Sequence, residues 1–194
     1  MKQNREVEFK LLVDEATFLR IKAHFNPSVT ILQTNHYFDT ADMALKARHI
    51  SARIRVFADH SELTFKRKDG IANDEMTFEV KGPTTAFLDP QVKALLAQWG
   101  IVHPLFPIGV LKTERSLVHL TNGDLCLDVN HYHGLTDYEL EYEVTGDEFT
   151  GLAEFQELLA LFGLKWLKNA PAKVKRCVQA ARVSGFGSTE PHIH

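Results

Sequence analysis

The sequence predicts an α+β protein: a closed, eight-stranded antiparallel β-barrel (a tunnel) with flanking helices. Three observations carry this. First, charged and apolar residues alternate at period two in one segment after another, beginning with Glu6-Val-Glu8-Phe-Lys10. Successive strand residues face opposite sides, so Glu6, Glu8 and Lys10 share one face and Val7, Phe9 and Leu11 the other. Second, amphipathic helical stretches lie between these segments and need an apolar sheet surface to cover. Third, charge sign is segregated by strand. Glu6 with Glu8, Glu139 with Glu141, and Arg53 with Arg55 are like-charged neighbours on one face, which is costly unless something bound neutralises them. A solvated face more often mixes signs. Together these turn the charged faces inward, around a pocket for a metal and an anion. The competing reading is a set of ordinary inter-strand salt bridges.

Strand one spans roughly 4–13. Asp14 is a plausible N-cap for a helix to Phe25, whose apolar stripe is Phe18, Ile21 and Phe25. Strands follow near 29–39, 50–58, 61–68 and 74–81, and Gly82-Pro83 ends that run. Residues 89–99 read as a second helix, burying Val92, Leu95, Leu96 and Trp99. Strands resume near 109–119, 124–131 and 136–146, with turns at Asn122-Gly123 and His133-Gly134. A third helix covers 148–163 and closes at Gly163. A short helix covers 171–182. About eight strands suit a barrel that can hold one small ligand. No linker divides the chain, so residues 1–183 are expected to form one domain and 184–194 a loose tail.

Composition limits the function. The 194 residues are 44% hydrophobic and 24% charged, as expected of a folded soluble chain. A net charge of −3 argues against a globally basic nucleic-acid binder, so any anion site is local. The two cysteines, Cys126 and Cys177, lack metal-type or redox-type spacing, which fits a reducing, cytoplasmic setting. No apolar run is long enough for a spanning helix, and no membrane partner is expected.

Lys10, Arg53, Arg55, Lys66, Arg115 and Lys173 would make a strongly cationic lumen, with Lys68 on the same strand face as Lys66. Arginine forks suit phosphate oxygens and lysines act as point charges; so many cations suit a triphosphate. Opposite them stand Glu6, Glu8, Glu139 and Glu141, with Glu143, Glu75 and Asp128 as further carboxylates. Such hard oxygen ligands suit Mg²⁺ or Mn²⁺. A metal that bridges phosphate oxygens is the usual route to phosphoryl transfer. No phosphate-binding glycine loop or dinucleotide fingerprint is present, so side chains must do this work. His131-Tyr-His133 is a weak metal pair beside a turn, and His192-Ile-His194 lies in the tail. Tyr37 is a candidate lumen partner for Lys66.

These residues resemble the CYTH superfamily, the triphosphate tunnel metalloenzymes, and most closely its small bacterial members of the YjbK type. The landmarks stand in the family's order: Glu6-x-Glu8-x-Lys10, Tyr37-Phe-Asp39-Thr40, Arg53-x-Arg55, Leu63-Thr-Phe-Lys66, Thr113-x-Arg115, Leu127-Asp128, Tyr138-Glu139-Leu-Glu141, and a basic segment at Lys173. The resemblance covers about residues 4–180. It implies metal-dependent hydrolysis of triphosphates: inorganic triphosphate, thiamine triphosphate or a nucleoside triphosphate. It implies Glu6, Glu8, Glu139 and Glu141 as metal ligands and Arg53, Arg55, Lys66, Arg115 and Lys173 as substrate contacts. Lys10 would stand near the reacting end, with Lys66 and Glu8 also catalytic, and Asp128 would orient a cation or assist the metal. Three features depart from the pattern. Ala172 stands where a serine often precedes the lysine, Glu75 and Glu79 compete for one acidic position, and Lys112 has the wrong parity relative to Arg115. Rival readings are a class IV-type adenylyl cyclase, which needs an adenine pocket not visible here, and a non-catalytic polyphosphate- or nucleotide-binding module. A monomer or a homodimer fits equally.

Overall fold

The structure, a computed structural model, describes residues 1–70, 72–83 and 85–183. The expected tail at 184–194, with His192 and His194, lies outside the described residues. Eight strands close into one antiparallel barrel: β1 (Lys2–Val13), β2 (Thr30–Thr40), β3 (Ile50–Val56), β4 (Ser61–Asp69), β5 (Ala72–Val80), β6 (Leu105–His119), β7 (Gly123–Tyr132) and β8 (Leu135–Val144). Around the barrel the order is β1-β5-β4-β3-β2-β6-β7-β8. Five helices flank it: α1 (Glu15–Phe25), α2 (Ala44–Ala47), α3 (Pro90–Gln98), α4 (Glu148–Leu161) and α5 (Lys173–Val183).

The apolar cores lie outside the barrel, between its wall and the helices. On one side α1 and α4 cover β1, β7 and β8, burying Phe9, Phe18, Ile21, Leu125, Leu127, Leu140, Tyr142 and Phe155. On the other, α2 and α3 cover β3, β4 and β5 through Leu45, Ile54, Leu63, Phe65, Phe78, Val92 and Leu96. The pleat does the rest. With Phe9 and Leu140 outward, Glu8, Lys10, Glu139 and Glu141 must point inward. A third, smaller cluster (Tyr37, Leu111, Tyr132, Cys177, Ala180) seats α5 against the barrel.

The helix starts follow local chemistry. Asp14 accepts a hydrogen bond from the Thr17 N–H at 2.8 Å, Asp89 caps α3 and Asp147 caps α4. His133 and Gly134 both have positive φ, as the two-residue turn between β7 and β8 requires. Gly123 is needed for a different reason: a Cβ there would lie 2.4 Å from the Tyr142 ring.

The expected strands and long helices are present, with differences at the margins. β1 begins at Lys2 and β6 at Leu105, so β6 runs through Pro107. Proline breaks a ladder, but here it sits opposite Phe38, at a register shift that tolerates it. The four-residue α2 and a 3-10 turn at Ala86–Leu88 carry too little periodicity to be read in advance. No described helix is long and apolar enough to cross a membrane.

Candidate active site

The lumen is lined by Glu8 and Lys10 from β1, Gln33, Asn35 and Tyr37 from β2, Arg53 and Arg55 from β3, and Lys66 from β4. Ser51 from β3, Thr113 and Arg115 from β6, Glu141 from β8, Ala172 just before α5, and Lys173 and Val174 from its first turn complete it. Register places opposite charges side by side. Lys10 pairs with Glu141 across β1 and β8, Lys66 with Glu75 across β4 and β5, and Arg115 with Asp128 across β6 and β7.

Most of these groups are tied together. The Lys66 ammonium contacts Glu6, Glu8 at 2.8 Å and Glu75 at 3.2 Å. Lys10 stands between Glu8, at 2.7 Å, and Glu141. Lys173 reaches over from α5 to Asp128 at 2.9 Å, Glu141 at 2.7 Å and Glu139. Arg115 grips Asp128 with two nitrogens, at 2.8 and 2.7 Å, and also reaches Glu141 and Glu143 at 2.6 and 2.9 Å. Asp128 and Glu139 have no solvent exposure at all.

This network pulls the carboxyls apart in acidity. Burial pushes Glu141 up, but Lys10, Lys173 and Arg115 together outweigh it and hold the group well below the usual carboxylate range. Asp128 is lowered in the same way by Arg115 and Lys173 against its burial. Glu8 is raised, first by burial and then by the Glu141 charge, even though Lys10 and Lys66 oppose this. Glu6 is raised by burial and by Glu75 and Glu143.

Two cations escape the pairing. No carboxylate lies within 4 Å of Arg53 or Arg55 among the described residues, and the Arg53 Nε is buried with no hydrogen-bond partner. The Arg55 Nε donates to the Asn35 Oδ1 at 3.2 Å, and its guanidinium lies 5.8 Å from the Phe57 ring centre. Burial, then Arg53 and Arg115, pull the Arg55 pKa down to about 10. Adjacent unpaired guanidiniums in a walled cavity suit an anion with several oxygens. The carboxylates suit a hard cation: buried oxygens of Asp128, Glu139 and Glu141 lie within 4.8 Å of one another.

Several expected residues stand elsewhere. Among the described residues, the carboxylate oxygens that lie within 4.8 Å of one another are those of Asp128, Glu139 and Glu141, not those of Glu6, Glu8, Glu139 and Glu141. Lys10 stands between Glu8 and Glu141, and Glu6 is drawn to Lys66, which Glu75 also contacts, so the close cluster takes Asp128 instead. Lys68 keeps the parity of Lys66 but is exposed at the strand end. Glu75, not Glu79, faces the lumen; Glu79 is exposed, as is Lys112 on the outer face. Tyr37 lines the lumen opposite Arg53 and does not bond Lys66, which carboxylates already surround. His131 and His133 are no metal pair: His131 bonds Thr136 and Glu114 on the outside, and His133 turns toward Cys177.

Arg176 was missed. It is 8% exposed, bonds Glu139 at 2.9 and 3.3 Å, and bonds Asp137 at 2.9 Å. Its three-residue spacing from Lys173 on a helix is the signal that would have found it. Gln33 and Asn35 were missed too, since neutral polar residues leave no mark in a charge pattern.

Comparisons with known proteins agree with this fold. The sequence profile described as the CYTH domain matches residues 4–170. YjbK of Bacillus subtilis (strain 168), described as a candidate triphosphatase, is 30% identical over 171 residues, covering 84% of this chain and 90% of that protein. The crystal structure of a Bacillus halodurans protein, described as a candidate adenylate cyclase, is 30% identical and superposes with a TM-score of 0.81, covering 91% of this chain and 98% of that one. HpAC1 from Hippeastrum, a candidate adenylyl cyclase with a dominant triphosphatase activity, shares the fold at 19% identity and a TM-score of 0.74, covering 97% of this chain and all of that one.

Proposed function

The chain belongs to the CYTH domain family, and from that membership we propose that it is a divalent-metal-dependent triphosphatase, hydrolysing inorganic or organic triphosphates inside the barrel. One observation carries the reading. Among the described residues, Arg53 and Arg55 have no carboxylate within 4 Å, in a cavity whose other wall is a bank of buried carboxylates. A pure anion binder gains nothing from those acids. A lumen for phosphate oxygens and a cation together needs both.

A bound Mg²⁺ or Mn²⁺ would neutralise charge on the phosphate oxygens. Asp128, Glu139 and Glu141 would hold it, with Glu8 beside Glu141 and Glu6 next to Glu8 on Lys66. Arg53 and Arg55 would grip the phosphate chain, and Arg115 and Lys173 would keep the acids in place. Lys66 and Lys10 would add positive charge where the anhydride bond breaks. Glu8, whose carboxyl is raised, is suited to take a proton from the attacking water. The substrate class is inorganic triphosphate, thiamine triphosphate or a nucleoside triphosphate, because the charged groups of the lumen suit phosphates. The buried free thiols Cys126 and Cys177 support a reducing, cytoplasmic setting. Adenylyl cyclase chemistry is the second reading, favoured by the description of the Bacillus halodurans relative.

The test is phosphate release from inorganic triphosphate and from ATP, with Mg²⁺ and then Mn²⁺, watching the ATP reaction for cyclic AMP. Metal-dependent phosphate release is expected, and cyclic AMP as the main product would favour the cyclase. Glu8→Gln and Lys66→Ala should each abolish turnover in a folded protein. Near-normal turnover in either would overturn the assignment of these residues.

A further inference from the structure

β1 changes neighbours in its middle. Lys2–Val7 pair with β5, whereas Glu8–Val13 pair with β8 on the opposite side. β5 begins at Ala72, opposite Val7, and among the described residues no strand pairs with β1 on that side from Glu8 onward. The main-chain groups on that side include those of two lumen residues, Glu8 and Lys10.

A short segment ahead of α5 fills this edge. The Lys10 N–H donates to the Asn169 Oδ1 at 2.7 Å, and the Asn169 Nδ2 donates to the Glu8 carbonyl at 2.9 Å. The next residue continues the pairing: the Ala170 N–H donates to the Lys10 carbonyl at 3.1 Å. The amide is itself held by the Trp166 Nε1, which donates to the Asn169 Oδ1 at 3.2 Å, while the Trp166 ring packs edge-on against Phe9. A single carboxamide therefore imitates a peptide unit and spans the main chain on both sides of Phe9.

We propose that Asn169 is a positioning residue of the active site: by bonding the main chain of Glu8 and Lys10, it sets where these two side chains stand in the lumen. It touches no lumen-lining side chain and acts through the strand. It is itself exposed, so water replaces its bonds when the amide is removed and the barrel persists. What water does not supply is the fixed direction of the amide. Displacements well below 1 Å at reacting groups are felt in rate, and a full ångström costs on the order of 100-fold. Arg53 and Arg55, on β3, owe nothing to this contact, so substrate capture is spared. The role rests on the triphosphatase reading above.

The experiment compares full-length wild type, Asn169→Ala, Asn169→Asp and a core control, Val92→Ala on α3, with inorganic triphosphate and the better of Mg²⁺ and Mn²⁺. Asn169→Ala is expected to lower kcat about tenfold with KM within about threefold of wild type. Asn169→Asp keeps the acceptor for the Lys10 N–H but sets an oxygen against the Glu8 carbonyl, so its kcat should fall between. Val92→Ala should lower the melting temperature at least as much as Asn169→Ala and leave kcat alone. Amide hydrogen exchange at Lys10 should quicken in Asn169→Ala, a readout independent of turnover. A wild-type kcat in Asn169→Ala, or a loss that only follows the folded fraction, overturns the positioning role and leaves the triphosphatase reading standing. A wild-type protein inert toward triphosphate in both metals overturns that reading and this role with it.

Discussion

Arg53 shows the tension between stability and function at a single residue. Its Nε is buried without a partner, and no carboxylate among the described residues lies within 4 Å of it. Such a group is costly to bury. Arg53→Met should therefore leave the melting temperature unchanged or raise it. The same change should raise KM for triphosphate by about 10- to 100-fold, the loss expected for a charge-assisted hydrogen bond of about 1.5–3 kcal/mol. Thermal melts and steady-state kinetics on one preparation read both, and a variant that melts markedly lower would show that Arg53 holds the barrel together. Arg53 was legible in the sequence because alternation assigns a face to every strand residue. What alternation cannot say is how far along the tunnel a residue stands. Lys68 and Glu79 share the parity of Lys66 and Glu75 and still lie at exposed strand ends.

At the scale of elements, contacts between distant segments decide what pattern alone cannot. The short α2 exists because the buried Asp39 carboxylate accepts from the Leu45 and Lys46 N–H groups. No periodicity in four residues announces that. The Lys173–Arg176 spacing was readable, but the carboxylates it meets come from β7 and β8, and only the fold brings them there. Asn169 works through the backbone of another strand and leaves no trace in any hydrophobic or charge pattern. The β6–β7 turn offers a clean test of such a contact. Gly123→Ala would set a methyl group 2.4 Å from the Tyr142 ring and 2.6 Å from the Glu143 carbonyl oxygen. Because a backbone atom is among those met, relief requires the strands to move, and the cost should be about 2–3 kcal/mol in urea unfolding. A cost below about 0.5 kcal/mol would mean that β7 and β8 slide freely there.

Four lumen acids fall in two opposed groups, and the stability of the whole molecule should follow pH accordingly. Asp128 and Glu141 are lowered by folding, so the stability they contribute is present above the ordinary carboxylate range near pH 4 and is lost as pH falls below it. Glu6 and Glu8 are raised, so folding favours their protonated forms and stability declines as pH rises through their folded values. The sum predicts a urea midpoint that holds or rises from pH 7 to about pH 5 and falls steeply below about pH 4. Glu8→Gln should flatten the rise. A midpoint that drops steadily from pH 7 downward would contradict these directions. The handover of β1 between partners has a consequence for synthesis on the ribosome. Its neighbours come from residues 72–77, then 138–143, and finally from Asn169 and Ala170, so the first strand to emerge waits for the last to be made. Pairings so remote in sequence form slowly, and an unpaired strand invites pairing with other chains. In that interval Lys2, Arg5, Glu6, Glu8 and Lys10 mark the open edge with charges that discourage such pairing. The acids and bases of the lumen thus guard the nascent chain before they meet any phosphate.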